Sequence, residues 1–265
     1  MPTPPKPEPR REYRIDSDKL LKKILPELKG VTSTNKVVID YTNGVIKFYE
    51  KRDRTQPPIL TISPSKAVFN DSDNNERISI NGKQGSIIFK NEHANSRLIL
   101  RGSGTISLRN DDNKDSIILD GNTGDIRLSG ADCAEEFDIA SSNNVEPGMV
   151  LVINDDGKLC PCNEPFDKRV AGVVSGANGY YPGMILDKQY QDQERVPVAL
   201  VGKTYCKVDA NYSSVSTGDL LTTSSTIGHA MKVNDPVSAY GSVIGKALKS
   251  LDKGCDLIPI LISLQ

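Results

Sequence analysis

A short pattern recurs four times before residue 130. Two apolar residues one apart lead to a Gly-bearing turn, then two more apolar residues one apart. It runs Val37-x-Ile39, Gly44, Ile46-x-Phe48, and again Ile78-x-Ile80, Gly85, Ile87-x-Phe89. Leu98-x-Leu100, Gly104, Ile106-x-Leu108 follows, and then Ile117-x-Leu119, Gly124, Ile126-x-Leu128. Strict alternation marks half-buried strands, and Asn43-Gly44, Asn81-Gly82 and Asp120-Gly121 are turn dipeptides that tolerate positive φ. The segment around Leu60-x-Ile62 and Val68-Phe69 is a degenerate copy with Pro64 in place of the glycine. Close, regular spacing of this kind predicts a stacked or meandering β scaffold over residues 36–129. Such a unit is a stalk rather than a catalytic body.

Composition agrees with thin β units. There is no Trp among 265 residues, and only nine Tyr and five Phe, so large anchors for a thick core are scarce. Sheets with aliphatic faces then bury those faces by stacking or by association of copies, here as a homotrimer. Each hairpin offers too few apolar side chains to offset the entropy of ordering it alone. The 33 Lys and Arg nearly balance the 34 Asp and Glu, which argues against nucleic acid as a partner. No stretch of about 18 apolar residues could span a membrane. The N-terminus, MPTPPKPEPRREYR, lacks the apolar run of a secretory signal, so the expected place of synthesis is the cytoplasm.

Residues 1–14 carry five prolines and then Arg10, Arg11 and Arg14. Proline at that density favours an extended tail, and the arginines suit an acidic groove on a partner. This segment reads as a docking tail, alternatively as a plain solvated one. Residues 15–35 hold a short helix and linker: Asp16 or Ser17 caps it, Leu20, Leu21, Ile24 and Leu25 form its stripe, and Pro26 ends it.

Residues 130–265 read as a compact C-terminal β domain with an internal pseudo-repeat. Glu146-Pro147-Gly148-Met149-Val150-Leu151 resembles Ser216-Thr217-Gly218-Asp219-Leu220-Leu221, and Val170-Ala171-Gly172-Val173-Val174 resembles Val243-Ile244-Gly245-Lys246-Ala247. Asp156-Gly157-Lys158 matches Ile227-Gly228-His229 in position, so the offsets are 70 (148 to 218), 71 (157 to 228) and 73 (172 to 245). Leu257-Ile258-Pro259-Ile260-Leu261-Ile262 reads as a buried terminal strand with Pro259 at an edge or bulge.

Five cysteines occur, and Cys160-Pro161-Cys162 lacks zinc-ligand spacing. His93 and His229 sit in polar turns, and the acidic turns lack calcium-loop spacing, so no metal and no cofactor are expected. No Ser/His/Asp constellation, P-loop or dinucleotide fingerprint is present. Tyr180, Tyr181 and Tyr212 are the candidate platforms for a cell-surface glycan.

The segment Gly130-Ala131-Asp132-Cys133-Ala134-Glu135-Glu136-Phe137-Asp138, together with Arg169-Val170-Ala171-Gly172-Val173-Val174-Ser175, resembles one family. This is the C-terminal domain of phage tail spikes and appendages of the intramolecular-chaperone or G2 peptidase type. There a D-Y-A-E-x-F-E-like segment follows a trimeric β stalk, and a G-V-V-S strand lies downstream. The resemblance covers residues 130–179. It implies an all-β trimeric component of a phage tail or phage-tail-like contractile injection particle, assembled with baseplate or other particle proteins. Some members cut their own chain near the acidic motif, which makes Asp132 and Glu135 the candidate residues for such a cut. Cys133 stands where the family has Tyr, and Gly130-Ala131 supplies no hydroxyl, so an intact chain is expected. Clustered acids of this kind are also an ordinary solvated-face feature.

Overall fold

The computed structural model describes residues 37–40, 42–50, 56–140, 145–189 and 194–264. The docking tail and the short helix anticipated before residue 36 lie outside them. The described chain is all-β, in two compact units that divide between Asp125 and Ile126.

The first sheet is a meander of ten strands in sequence order: β1 (Val37–Asp40), β2 (Val45–Phe48), β3 (Leu60–Ile62), β4 (Lys66–Asn70), β5 (Glu76–Asn81), β6 (Ser86–Lys90), β7 (Ser96–Arg101), β8 (Thr105–Arg109), β9 (Asp115–Asp120) and β10 (Asp125–Leu128). Period-two alternation sets its register. Ile80 opposes Ile87, Ile87 opposes Leu100, Leu100 opposes Ile106 and Ile106 opposes Leu119. A one-residue slip anywhere would turn a whole strand's apolar set to the other face. Pro64 does not interrupt the meander, because Ser63 and Lys66 exchange backbone bonds around a two-residue turn.

The turns at one end stack on one another. Gly102 N–H donates to Gly85 O at 2.6 Å, and Gly121 N–H donates to Gly104 O at 2.8 Å. A Cβ on Gly102 or Gly121 would stand 3.1 or 3.0 Å from that oxygen, so close backbone approach selects glycine there. The Asn43-Gly44 turn carries its positive φ on Gly44, whereas past Asn81-Gly82 and Asp120-Gly121 it falls on Gly85 and Gly124, with Gly104 in the turn between. At the opposite end, Asp71, Asn91 and Asn110 cap their turns by accepting N–H groups up to four residues on.

The C-terminal unit contains β11 (Asp132–Asp138), β12 (Val150–Ile153), β13 (Leu159–Pro161), β14 (Val170–Val174), β15 (Met184–Leu186), β16 (Arg195–Asp209), β17 (Leu220–Thr223), β18 (Ala230–Lys232), β19 (Val243–Ala247) and β20 (Cys255–Ser263). Its strands close two rings that share β16. The first runs β11, β16, β14, β12, β13 and closes through the Ile139–Leu159 bridge. The second runs β16, β18, β17, β19, β20 and closes through the long β16–β20 pairing. Leu151, Leu159, Val174 and Val198 fill one core; Leu221, Ala230, Ile244 and Ile260 fill the other, which also takes Val150, Val152, Val173 and Ala199 from strands of the first ring. Gly172 and Gly245 occupy the same place in the two rings, each beside a bulge. An added Cβ would meet Ala199 O at 2.6 Å in one ring and Leu261 O at 2.1 Å in the other.

Pro259 sits at no bulge but at a local edge. It faces Tyr205 in regular register on the β16 side, while the β19 ladder ends at Ala247–Ile260, one residue away. Its carbonyl accepts the Leu248 N–H just past the end of β19. A residue's nitrogen and oxygen share one side of a strand, so the missing N–H falls where that neighbour is already leaving the sheet.

Candidate functional site

The two faces of the ten-stranded sheet differ sharply. One carries two unbroken apolar columns: Ile62, Ala67, Ile80, Ile87, Leu100 and Ile106 in one, Leu60, Phe69, Ile78, Phe89, Leu98 and Leu108 in the other. Ile62, Phe69, Ile80, Leu108, Ile117 and Leu119 keep 36–42% of their surface exposed, and Ile126 keeps 69%. Full burial of such a side chain contributes about 1.5–3 kcal/mol, so a substantial part of that stabilisation is unused in a single chain. Ala67 interrupts the large side chains and leaves a hollow of about 420 Å³ bounded by Ile62, Pro64 and Ile80.

The other face satisfies itself. Glu76 accepts from Lys66 at 2.7 Å and pairs with Lys90 at 3.1 Å, and Arg109 pairs with Asp115 at 2.7 Å. Between these long side chains Ser79, Ile99 and Ser107 are buried. The hydrogen bonds from Lys66 and Lys90 outweigh desolvation and hold Glu76 below the ordinary carboxylate range. A face of paired charges is finished in water; a face of bare Ile, Leu and Phe leaves apolar surface in water.

The two motif segments of the C-terminal unit meet at Asp132. Ser175 Oγ donates to Asp132 Oδ2 at 2.7 Å, with both residues buried. Thr204, fully buried, stands close enough to influence the carboxyl, yet neither its Oγ1 nor Asp132 Oδ1 completes a well-formed hydrogen bond. Burial pushes the Asp132 carboxyl above its ordinary range, against the lowering influence of Ser175 and Thr204. The backbone fixes the position tightly. Gly183 N–H donates to Asp132 O, and a Cβ on Gly202 would stand 2.9 Å from Ala131 O.

Glu135 does not join Asp132. Asp132 and Ala134 share one side of β11, and Ala134 opposes Ala199. Glu135 opposes Val198, which packs in the other core. The sequence pairs these two acids as a candidate cleavage dyad; the strand's alternation separates them. Ser175, which spacing alone could not attach to Asp132, is the partner in space.

Tyr180 is engaged edge-to-face with Tyr205, centroids 4.9 Å apart. Tyr181 is largely exposed beside it in sequence, while Tyr212 is exposed in a separate loop with its hydroxyl against Ser225 Oγ at 2.5 Å. Arg10, Arg11 and Arg14 lie outside the described residues. Cys162 and Cys206 are buried, and desolvation pushes Cys162 up to about 11 and Cys206 higher still, so neither thiol supplies a thiolate at neutral pH. Among the described residues, no three His, Cys, Asp or Glu side chains gather as metal ligands would. No helix among them is long and apolar enough to cross a membrane.

No protein-family model and no curated protein matches this chain. Among solved structures it is similar to the pre-mature bacteriophage phi29 gene product 12, at TM-score 0.37 and 15% identity, over 57% of this chain and 25% of that one. It thus spans about a quarter of that protein's length. It is also similar to the C-terminal fragment of bacteriophage phi29 gene product 12, at TM-score 0.35 and 16% identity, over 50% of this chain and 100% of the fragment. A third is the N base of head fiber gp8.5 in bacteriophage phi29, at TM-score 0.27 and 20% identity, over 48% of this chain and 92% of that one.

Proposed function

We propose that this protein is a structural appendage of a phage tail or phage-tail-like injection particle, working as a homotrimer and attached through its N-terminal tail. The observation that carries the reading is the bare apolar face of the β1–β10 sheet. It spans strand after strand, and this unit's own described residues form only the one sheet, with no second layer over it. Three copies turned about a common axis would bury those faces and shield the open sheet edges. The resemblance of residues 130–179 to spike and appendage domains supplies the particle class and the number three. Light scattering at micromolar concentration should give three times 28.9 kDa. A monomeric mass would end this reading.

Attachment is assigned to residues 1–14. A chain beginning at Ile15 should melt like the full chain and fail to co-purify with its particle. Equal recovery of both chains on the particle would remove the tail's role.

A second reading, a surface-glycan-binding module, draws on exposed Tyr181 and Tyr212. Their rings are the amphipathic platforms that sugars stack on. Binding to a glycan array that weakens in Tyr181→Ala or Tyr212→Ala would favour it.

A further inference from the structure

The C-terminal unit carries an exposed apolar row of its own. Met184 on β15, Cys133 on β11 and Val201 on β16 lie side by side across three hydrogen-bonded strands. Met184 is 47% exposed and Val201 58%, with Cys133 half-buried between them. Leu186 extends the row along β15 at 45% exposure, and Leu261 continues it on β20 at 41%. The exposure has a local cause: Leu200 is the extra residue of a bulge between Cys133–Val201 and Ala134–Ala199. There the side of β16 that fills the first ring with Val196, Val198 and Leu200 passes to the outside of the second.

Charges bracket the row. Glu135 follows Cys133 two residues on along the same side of β11, and Lys203 follows Val201 two residues on along the antiparallel β16. The two therefore flank the row from opposite directions. Neither has an ion-pair partner among the described residues. Lys203 opposes Leu261, which in turn opposes Lys246.

We infer that this row is a second contact surface between copies of the chain, seated against the corresponding domain of a neighbouring copy, with Glu135 facing the neighbour's lysine edge. The inference rests on the trimeric reading of the stalk. A row of five side chains falls well short of the roughly 1,200–2,000 Å² that free proteins bury on stable association. It suffices where another contact already holds the copies together, because tethering makes the second contact intramolecular at millimolar effective concentration. An acid on one side and lysines on the other complement each other when one copy meets the next.

Oxidation of Met184 by dilute hydrogen peroxide, followed by peptide mass, tests this on the full chain. Thioether oxidation follows exposure, so Met184 should react about fivefold more slowly in the assembled protein than in an Ile106→Asp chain dispersed to monomers. Val201→Asp should release Met184 to the fast rate while the mass stays trimeric. Glu135→Lys should do the same, and adding Lys203→Glu should restore protection. Trimeric mass with fast Met184 oxidation in the unaltered chain overturns the second surface and leaves the stalk reading standing. Monomeric mass for the unaltered chain overturns both. Protection that persists in Val201→Asp and Glu135→Lys also overturns the second surface, because it would then come from somewhere else.

Discussion

Ser175 Oγ and Asp132 Oδ2 stand 2.7 Å apart across 43 residues of sequence, buried where β11, the end of β14 and β16 converge. The bond joins the two segments that resemble the appendage domains, so a pattern split in sequence is one contact in space. A carboxyl with one firm donor and an unpartnered second oxygen is a strained arrangement for a full negative charge.

Stability should therefore depend on the protonation of Asp132. Its folded-state pKa is raised by burial, so the folded chain binds the proton more tightly than the unfolded one. Its contribution is most favourable at low pH and declines as pH rises from the ordinary value of 3.8 through the raised one. Across this window Asp132→Asn should gain melting temperature relative to the unaltered chain as pH rises, because the contribution that falls with pH is gone. The difference between the two melting profiles isolates this group from Glu76, Asp167 and Asp209, whose lowered pKa values act with the opposite sign. Identical profiles would mean that folding leaves the Asp132 pKa unchanged.

Ser175→Ala removes the donor and leaves the buried carboxyl unsupported. A loss of about 1–3 kcal/mol is expected by chemical denaturation, the range for stranding one buried polar partner. Ser238→Ala, on an exposed turn where the hydroxyl bonds Asp235, should cost much less.

Replacing Ile106 with Asp places a charge in the apolar columns and should disperse the assembly. Lys90→Ala changes the self-paired face and should leave the mass unchanged. Equal behaviour of the two in light scattering would show that the apolar face is not the contact.

The chain should remain whole. Ala131 precedes Asp132, so no hydroxyl stands at the position before the acid, and Glu135 lies on the other side of the strand. Cleavage would need a nucleophile activated by a neighbouring base, which contributes about 10²–10⁴-fold when present. Intact mass after long incubation should give one species of 28.9 kDa. A fragment boundary near residue 132 that vanishes in Asp132→Asn would overturn this.

Gly245→Ala should be severely destabilising, by about 3 kcal/mol or more, since the new Cβ would sit 2.1 Å from the Leu261 carbonyl oxygen. Gly172→Ala should fail the same way in the first ring. Thermal melting of the two variants checks both.

The meander was legible because its information is local. Ile78-x-Ile80, a glycine turn and Ile87-x-Phe89 specify a hairpin within a dozen residues, and the period of two already states which face is apolar. The paired rings were legible only in part: the Gly172 and Gly245 repeat announces two related units, but not that they share β16. β16 contains Pro197 and Gly202, which read as breakers, and its partners lie as far away as Ser263. Which side of Pro259 lies open was not legible either, because it depends on where β19 ends. The Asp132–Ser175 contact required knowing that β14 and β11 both flank β16.

One strand serves as a wall for both rings. Arg195–Ala199 completes the first and Gly202–Asp209 the second, without a loop between them. Detaching β16 from either ring drags on its pairing in the other, so the two halves cannot melt in turn. The domain should lose its amide-exchange protection in a single cooperative step, and a protease should find no stable half to spare.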